Sequence, residues 1–141
     1  NSVAEWNFYL DPQAADIVLR SGVKIRLIPV EATKTLPVTA EFRDKLAASR
    51  RDATSELLLS LLDAVSEGID GGWFYFWDTM AAVAAAHPEV MGNRDLSIRV
   101  VLDEGNTLGQ TVESSDGVNV RIAEEFNRDV FENEFLKTVL D

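Results

Sequence analysis

The chain has 141 residues and a mass of 15.6 kDa, which is the size of one domain or of part of one. Its apolar share of 46% is ordinary for a globular protein and excludes disorder by composition. With 24 acidic and 13 basic residues the formal charge is −11, so we expect neither nucleic-acid binding through a basic face nor docking on an anionic membrane.

Cysteine is absent and histidine occurs once. This excludes a disulfide scaffold, a thiolate zinc site, an iron–sulfur cluster, a cysteine nucleophile and a multi-histidine metal site within the chain. The most apolar stretch, residues 73–86, is interrupted by Asp78 and is shorter than the roughly 20 apolar residues of a membrane-spanning helix. Residues 1–5 do not have the pattern of a signal peptide.

Helix signals dominate the first two thirds of the chain. Asp11 as N-cap, Pro12 in the first helical position and Gly22 past the end predict a helix between them. Alternating apolar and basic residues predict a strand over residues 23–30, and the strand before the helix is represented, at most, by residues 2–10.

A long helical region follows over residues 41–67, with a predicted break near Ser49–Asp52. One apolar stripe at helical spacing is supplied by Leu57, Leu58, Leu61, Leu62 and Val65. The aromatic run of residues 73–77 then leads into Asp78 and an alanine-rich helix over residues 79–86, which His87-Pro88 ends.

The last third predicts strands. Residues 97–103 and 107–113 form a hairpin pattern, residues 118–122 a third strand, and residues 127–140 a closing amphipathic helix. The fold class is therefore α/β, with part of an open, mostly parallel sheet, flanking helices and a C-terminal β-hairpin. Because the first helix has no clear strand upstream, we expect part of the sheet to be missing from the chain.

Three positions are candidate functional residues, each with a structural alternative. Glu5 and Asn7 share one face if their segment is extended, where they can hold sugar hydroxyls; the alternative is two surface polar residues. Asp78 is either a helix N-cap or a carboxylate in an aromatic-walled pocket that binds a hard cation or a hydroxyl. His87 is interpreted as structural, and no glycine-rich phosphate loop or Gly-x-Ser-x-Gly elbow is present.

Four segments together resemble one family. Residues 4–15, AEWNFYLDPQAA, resemble the A-E-[FW]-N-x-x-x-D-P-E-A-A signature of the inosine–uridine-preferring nucleoside hydrolases. Residues 25–30 with Thr33 resemble that family's strand and (D/E)-x-T segment. Residues 77–83, WDTMAAV, resemble its H-D-P-x-A-x-A segment, and residues 108–112, LGQTV, resemble (R/L)-G-x-T-V. The matches follow the family order over the whole chain.

The resemblance is to the C-terminal half of a single nucleoside hydrolase-like domain, with residues 1–141 as that portion. The family's N-terminal aspartate-rich motif, D-x-D-x-x-x-D-D, does not occur in the chain. In the family it supplies most calcium ligands and the aspartate that activates water. The resemblance therefore implies no catalytic residue in this chain.

The resemblance also implies binding roles. Glu5 and Asn7 match the family's ribose-binding residues, and Asp78 matches an aspartate that ligates calcium and contacts ribose hydroxyls. Trp77 stands where many members have a histidine implicated in leaving-group protonation, and an indole N–H is not a general acid near neutral pH. Together with Trp73 and Tyr75, Trp77 can instead stack on a base.

The expected function is part of a calcium-dependent ribonucleoside hydrolase of purine or pyrimidine salvage, releasing ribose and free base, with the chain alone inactive. Expected partners are a nucleoside, a second chain carrying the N-terminal half and further copies of this chain; the expected location is cytoplasmic. The alternatives are a non-catalytic nucleoside- or ribose-binding module and a self-associating remnant of the fold.

Overall fold

The computed structural model describes residues 1–49 and 52–140. The chain forms two compact units, of which the first comprises Asn1–Leu27 and Asn93–Ala123 and the second Ile28–Gly92 and Glu124–Asp141. Arg50 and Arg51, at the predicted helix break, lie outside the described residues, as does Asp141. The assignment of residues 1–141 to a portion of one domain stays a prediction.

The first unit combines two short helices with a sheet whose strand order is β1-β4-β2-β3. β1 runs parallel to β4, whereas β2 and β3 run antiparallel, with Ile98 opposite Glu113. The α/β class, the open sheet and the hairpin are confirmed, but "mostly parallel" is not an accurate description of the sheet. The elements are α1 (Trp6–Leu10), α2 (Pro12–Arg20), β1 (Arg26–Leu27), β2 (Met91–Val100), β3 (Thr111–Glu113) and β4 (Val118–Phe126).

Local signals account for α2 as predicted. The Asp11 carboxylate accepts a hydrogen bond from the Ala14 backbone N–H at 2.9 Å, and Pro12 occupies the first helical turn. Gly22 follows the helix with φ +81°, in the left-handed region that glycine enters without steric cost.

The strand predicted over residues 23–30 is shorter than expected. Only Arg26–Leu27 pair with β4, and Pro29 already caps the next helix. Proline has no backbone N–H to donate to a sheet, so the apolar run cannot continue as a paired strand. Residues 6–10, expected at most to represent a strand, are helical.

The core of the first unit lies against one face of the sheet. Leu19 of α2 is buried with Ile98, Val100 and Val120, and Phe8 of α1 packs against this cluster. Successive side chains of β2 and β4 point to opposite faces of the sheet, and those on one face, including Ile98, Val100 and Val120, are buried.

The second unit is helical. The predicted break in the long helical region is confirmed, because one helix ends before Ser49 and the next begins after Asp52, whose carboxylate accepts from the Ser55 N–H at 3.0 Å. The elements are α3 (Val30–Thr33), α4 (Ala40–Ala48), α5 (Ala53–Ala64), α6 (Ser66–Asp70), α7 (Trp77–Ala86), a 3₁₀ turn (Pro88–Val90) and α8 (Arg128–Leu140).

Aromatic side chains make the core of the second unit. The Phe76 ring lies 4.9 Å from the rings of both Phe42 and Phe131, in edge-to-face arrangements. Such pairs contribute about 0.5–1.5 kcal/mol beyond the area they bury. The apolar stripe of α5 faces this core only in part, since the side chains of Leu57 and Leu61 are 60% and 56% exposed.

A buried carboxylate joins α8 to α4. Glu132 is 3% exposed; Lys45 donates to one of its oxygens at 2.7 Å and Arg128 to the other at 2.9 Å. The hydrogen bond that Lys45 donates to Glu132 raises the pKa of Lys45. Arg128 also donates to the Pro37 carbonyl at 3.2 Å. The charge of Glu132 is thus satisfied on both oxygens, as burial requires.

No helix within residues 1–49 or 52–140 is both long enough and apolar enough to cross a membrane.

We predict that Asp95→Asn lowers stability at neutral pH but not in acid. Arg121 of β4 donates to both carboxylate oxygens of Asp95 on β2, at 3.0 and 3.3 Å, and holds the pKa of Asp95 below its usual value. A lowered pKa stabilises the fold above the ordinary aspartate pKa, and the contribution is lost as the pH falls through the lowered value. Urea unfolding of both proteins at pH 7 and near pH 3 measures the difference.

The control for this prediction is Glu104→Gln, which removes an exposed carboxylate in the loop between β2 and β3. It should leave the free energy of unfolding unchanged at either pH. A deficit of Asp95→Asn that is as large in acid as at neutrality contradicts the prediction.

Candidate functional site

The first group of candidate residues lies at the start of α1. Glu5 is the N-cap: its Oε2 accepts from the backbone N–H groups of Asn7 at 2.8 Å and Phe8 at 3.3 Å. Its Oε1 accepts from Asn7 Nδ2 at 3.2 Å. Glu5 and Asn7 therefore lie together. The expected extended segment is wrong, however, because Glu5 caps a helix that contains Asn7.

This carboxylate–amide pair is suited to binding hydroxyl groups. Glu5 is half-buried and Asn7 is exposed. A carboxylate accepts hydrogen bonds at two oxygens, and an amide offers both an acceptor and donors. Hydroxyls, which donate and accept, match this combination.

The second group lies at the start of α7. Phe76 occupies the N-cap position without a side-chain cap, and its carbonyl accepts from the Thr79 N–H at 2.8 Å. Asp78 is therefore not the N-cap, and that alternative is wrong. Its carboxylate is exposed and, in the described part of the chain, makes no ion pair or hydrogen bond. It is available to a ligand.

Trp77 carries backbone strain beside this carboxylate. Its φ is +31°, in the left-handed region that costs a bulky residue about 1–3 kcal/mol. Its ring packs edge-to-face on Phe74 at 5.1 Å and on Tyr75 at 5.7 Å, and remains 38% exposed. Strain of this kind persists only when neighbouring contacts fix the conformation.

Contacts fix the residues of the aromatic run that precede Trp77. The Val38 N–H donates to the Phe74 carbonyl at 2.9 Å, and Pro37 forms an antiparallel bridge with Tyr75. The next residue, Phe76, is buried among aromatic rings. The three residues before Trp77 are thus fixed, and the chain enters α7 at Trp77.

An apolar cavity of about 260 Å³ opens next to these residues. Trp77 and Asp78 line it together with Phe42, Leu58 and Leu62. Its size lies near the lower end of the range of small-molecule sites, about 300–1,000 Å³, and its lining suits a planar aromatic group with one polar edge. The Trp73 ring lies over Gly68 and is not part of this lining.

The described residues do not complete a metal site. Across residues 1–49 and 52–140 no group of three or more histidine, cysteine, aspartate or glutamate side chains is placed to hold an ion. Calcium takes 6–8 oxygen ligands. Asp78 fits such an ion only as one ligand among several.

His87 lies past the end of α7, as a structural residue would. Its Nδ1 is 3.3 Å from a Glu89 oxygen and 3.5 Å from a Glu134 oxygen. Two residues hold α1 in place that the sequence alone does not indicate, and these are Asn1 and Gly109. For Gly109 the available signal was its place in the LGQT segment.

The family model described as "Inosine-uridine preferring nucleoside hydrolase" matches residues 1–133, which include both groups. The chain belongs to the inosine-uridine preferring nucleoside hydrolase family. The chain is 31% identical over 90 residues to nucleoside hydrolase 3 of Arabidopsis thaliana, covering 60% of this chain and 10% of that protein. It is 29% identical over 114 residues to the non-specific ribonucleoside hydrolase RihC of Salmonella paratyphi B, covering 81% and 37%.

Solved structures agree with this assignment. The inosine-uridine preferring nucleoside hydrolase from Bacillus anthracis superposes with a TM-score of 0.85 at 26% identity, covering 96% of this chain and 43% of that one. The purine-preferring ribonucleoside hydrolase from Gardnerella vaginalis, at 23% identity and a TM-score of 0.75, shares the fold. The chain thus spans less than half the length of these relatives.

We predict that Glu5→Ala causes the N-terminus of α1 to fray. Loss of a side-chain N-cap costs about 1 kcal/mol, and α1 has five residues, too few to persist without its contacts. The backbone amides of Asn7 and Phe8 should exchange with solvent several-fold faster, measured by hydrogen–deuterium exchange. Glu5→Gln retains an acceptor oxygen and should largely preserve protection. Unchanged exchange in Glu5→Ala would show that the cap does not hold the helix.

Proposed function

We propose that this chain is part of a ribonucleoside hydrolase, which cleaves the N-glycosidic bond of a nucleoside with water and releases ribose and the free base. One observation carries the proposal: the family match extends through both the Glu5–Asn7 pair and Trp77–Asp78. The Arabidopsis and Salmonella relatives are named nucleoside hydrolase and ribonucleoside hydrolase. A role in purine or pyrimidine salvage follows from the products.

The Glu5–Asn7 pair binds ribose hydroxyls in this proposal. Cleavage passes through an oxocarbenium-like sugar, which carries positive charge in the transition state. Carboxylates held near the sugar favour that charge, and hydrogen bonds that fix the hydroxyls hold the reacting carbon in place. Glu5 is held by three hydrogen bonds to α1, so it does not need to reorganise on binding.

Asp78 binds a hydroxyl and contributes one ligand to a calcium ion. Its exposed carboxylate, without a partner among the described residues, supports this role. The remaining ligands have to come from outside the described residues, because these contain no cluster of three or more suitable side chains. We therefore expect calcium to bind this chain weakly when no other polypeptide is added.

Trp77 contacts the base. Its indole cannot protonate a leaving base near neutral pH, so this position contributes stacking instead of acid catalysis. The ring lines the apolar cavity and is held by Phe74 and Tyr75. Proton delivery to the leaving base has to come from water or from another group.

We further propose that the chain acts together with other polypeptides. The aspartate-rich motif is not in the sequence, and a second chain that carries it would supply the water-activating aspartate. Exposed apolar side chains on α1 and α2, including Trp6, Leu10, Ile17 and Val18, favour association with another polypeptide or with further copies.

The second candidate is a non-catalytic nucleoside- or ribose-binding module, or a self-associating remnant of the fold. The incomplete set of metal-binding side chains among residues 1–49 and 52–140 favours it. In a binding module, the affinity for nucleoside or ribose does not depend on calcium, and Asp78→Asn has little effect on that affinity.

An activity assay tests the proposal. The purified chain is incubated with inosine or uridine and calcium, and reducing sugar is measured with and without an added polypeptide that carries the aspartate-rich motif. We expect turnover only in the mixture, and a loss of about 10²-fold in Glu5→Gln or Asp78→Asn mixtures. Glu104→Gln is the control. Turnover by the chain alone contradicts the proposal that activity requires a second polypeptide. No turnover in any mixture favours the binding module.

A separate prediction concerns base stacking. Trp77→Ala should weaken inosine binding by about 1–3 kcal/mol, the contribution of one base–aromatic stack, whereas Trp77→Phe should retain most of it. Trp73→Ala is the matched control, because it removes an exposed indole that does not line the cavity. Isothermal titration with inosine measures all three variants. Equal losses in Trp77→Ala and Trp73→Ala would exclude a specific role for Trp77.

A further inference from the structure

The helix that carries the Glu5–Asn7 pair has few attachments of its own. α1 has five residues, and an isolated helix of that length does not persist in water. Phe8 is its side chain in the core of the first unit, whereas Trp6 and Leu10 are 66% and 62% exposed. The position of α1, and with it that of Glu5 and Asn7, therefore depends on what supports its backbone.

Gly109 lies directly against that backbone. A Cβ atom at this position would be 2.8 Å from the Phe8 carbonyl oxygen and 2.9 Å from the Tyr9 Cα. Both are main-chain atoms, so no side-chain rotation can make room. Gly109 also has φ +81°, in the left-handed region. The approach of the two segments thus requires glycine for space as well as for conformation.

The segment around Gly109 is itself fixed to the sheet. The Gly109 N–H donates to the Val101 carbonyl at 2.8 Å, and the Val101 N–H donates to the Gln110 carbonyl at 2.9 Å. Val101 directly follows β2, whose last residue is the buried Val100. Support for α1 therefore comes from the core of the first unit through two backbone hydrogen bonds.

A second attachment lies on the other side of Glu5. Asn1 Nδ2 donates to the Leu108 carbonyl at 2.7 Å. Asn1 Oδ1 accepts from the N–H groups of Val3 at 3.2 Å and Ala4 at 2.9 Å. One side chain thereby joins the segment entering α1 to the residue before Gly109, so the chain is held both before and after Glu5.

We propose that Leu108 and Gly109 form a seat that positions the Glu5–Asn7 pair to bind the sugar, with Gly109 a positioning residue that itself touches no substrate. The sugar-binding part of this inference rests on the proposed function. Because Glu5 bonds to the backbone of α1, helix and pair move together. A side chain at position 109 displaces the pair without breaking it, and a displacement of about 1 Å can cost up to 10²-fold in function.

Gly22 provides a matched control. It also has φ +81°, so alanine there carries the same backbone cost, but no atom lies within 4 Å of the Cβ position. Any loss of stability or of inosine affinity in Gly109→Ala that exceeds the loss in Gly22→Ala comes from the close approach to α1. The two variants are compared in the 141-residue chain by melting temperature and by NMR.

Two NMR readouts follow position and binding separately. The first is the backbone amide shifts of residues 6–10 and the contacts of the Phe8 ring with Leu19 and Ile98 methyl groups. The second is the affinity for inosine, from the shift of the Asn7 side-chain amide on titration. Gly109→Ala should move the α1 signals and weaken inosine binding about tenfold or more, whereas Gly22→Ala should change neither.

Asn1→Asp keeps the inference testable if Gly109→Ala does not fold. It retains an oxygen to accept from Val3 and Ala4 but removes the donor to Leu108. It should move the same α1 signals. The inference is overturned if the α1 signals of Gly109→Ala stay at the positions they have in Gly22→Ala. Where Asn1→Asp replaces Gly109→Ala, the same result in Asn1→Asp overturns it.

The design separates this inference from the proposed function. If α1 moves in Gly109→Ala while inosine does not bind even the unsubstituted chain, the seat is supported and the proposed sugar binding by the pair fails. If inosine binds the unsubstituted chain and Gly109→Ala binds it as tightly as Gly22→Ala, the positioning role is overturned and the proposed function stands.

Discussion

The buried ring of Phe76 is the constraint on which the second unit depends. It is wedged between Phe42 of α4 and Phe131 of α8, so three segments distant in sequence meet at one side chain. The segment leading to it contacts Pro37 and Val38, and the Pro37 carbonyl accepts a hydrogen bond from Arg128, which also donates to Glu132. With Phe76 pointing inward, the next residue has to leave the core. Trp77 does so with a strained backbone, and Asp78 follows it into solvent.

The first unit fixes its candidate residues with far fewer buried side chains than the second unit. Its sheet is covered by Leu19 of α2 and Phe8 of α1, and α1 is too short to provide its own stability. Contacts with the backbone of α1 replace side-chain packing there: the Glu5 carboxylate caps its first turn, and Gly109 lies against the main chain of Phe8 and Tyr9. The polar pair is therefore placed by main-chain geometry, whereas Trp77 and Asp78 are placed by aromatic packing.

Features set by local chemistry could be predicted from the sequence. Asp11, Pro12 and Gly22 act within a few residues of α2, and His87-Pro88 ends α7 by the same kind of short-range effect. The alternating pattern predicts a longer strand than β1, because alternation indicates which residues are apolar but not whether a partner strand lies beside them. The sequence predicts the proximity of Glu5 and Asn7 from an extended segment, whereas in the structure Glu5 caps a helix. A glutamate that caps its own helix has a weak sequence signal.

The remaining site features depend on contacts between distant segments. Trp77, with its left-handed backbone, directly follows Phe76, whose ring packs on Phe42 and Phe131, 35 and 54 positions away from Trp77 in the sequence. The contact of Gly109 with α1 joins residues about one hundred positions apart. A single sequence contains both partners of each contact but gives no distance between them, so these features become visible only in the structure.

The unequal surroundings of the three tryptophans have a spectroscopic consequence. Trp6 and Trp73 are 66% and 58% exposed, whereas Trp77 is 38% exposed and lies in contact with two other rings. Indole emission shifts to shorter wavelength when the ring leaves water, so the blue edge of the spectrum belongs mainly to Trp77. The protein thus contains its own optical reporter at the edge of the apolar cavity, and no label has to be attached to follow that region.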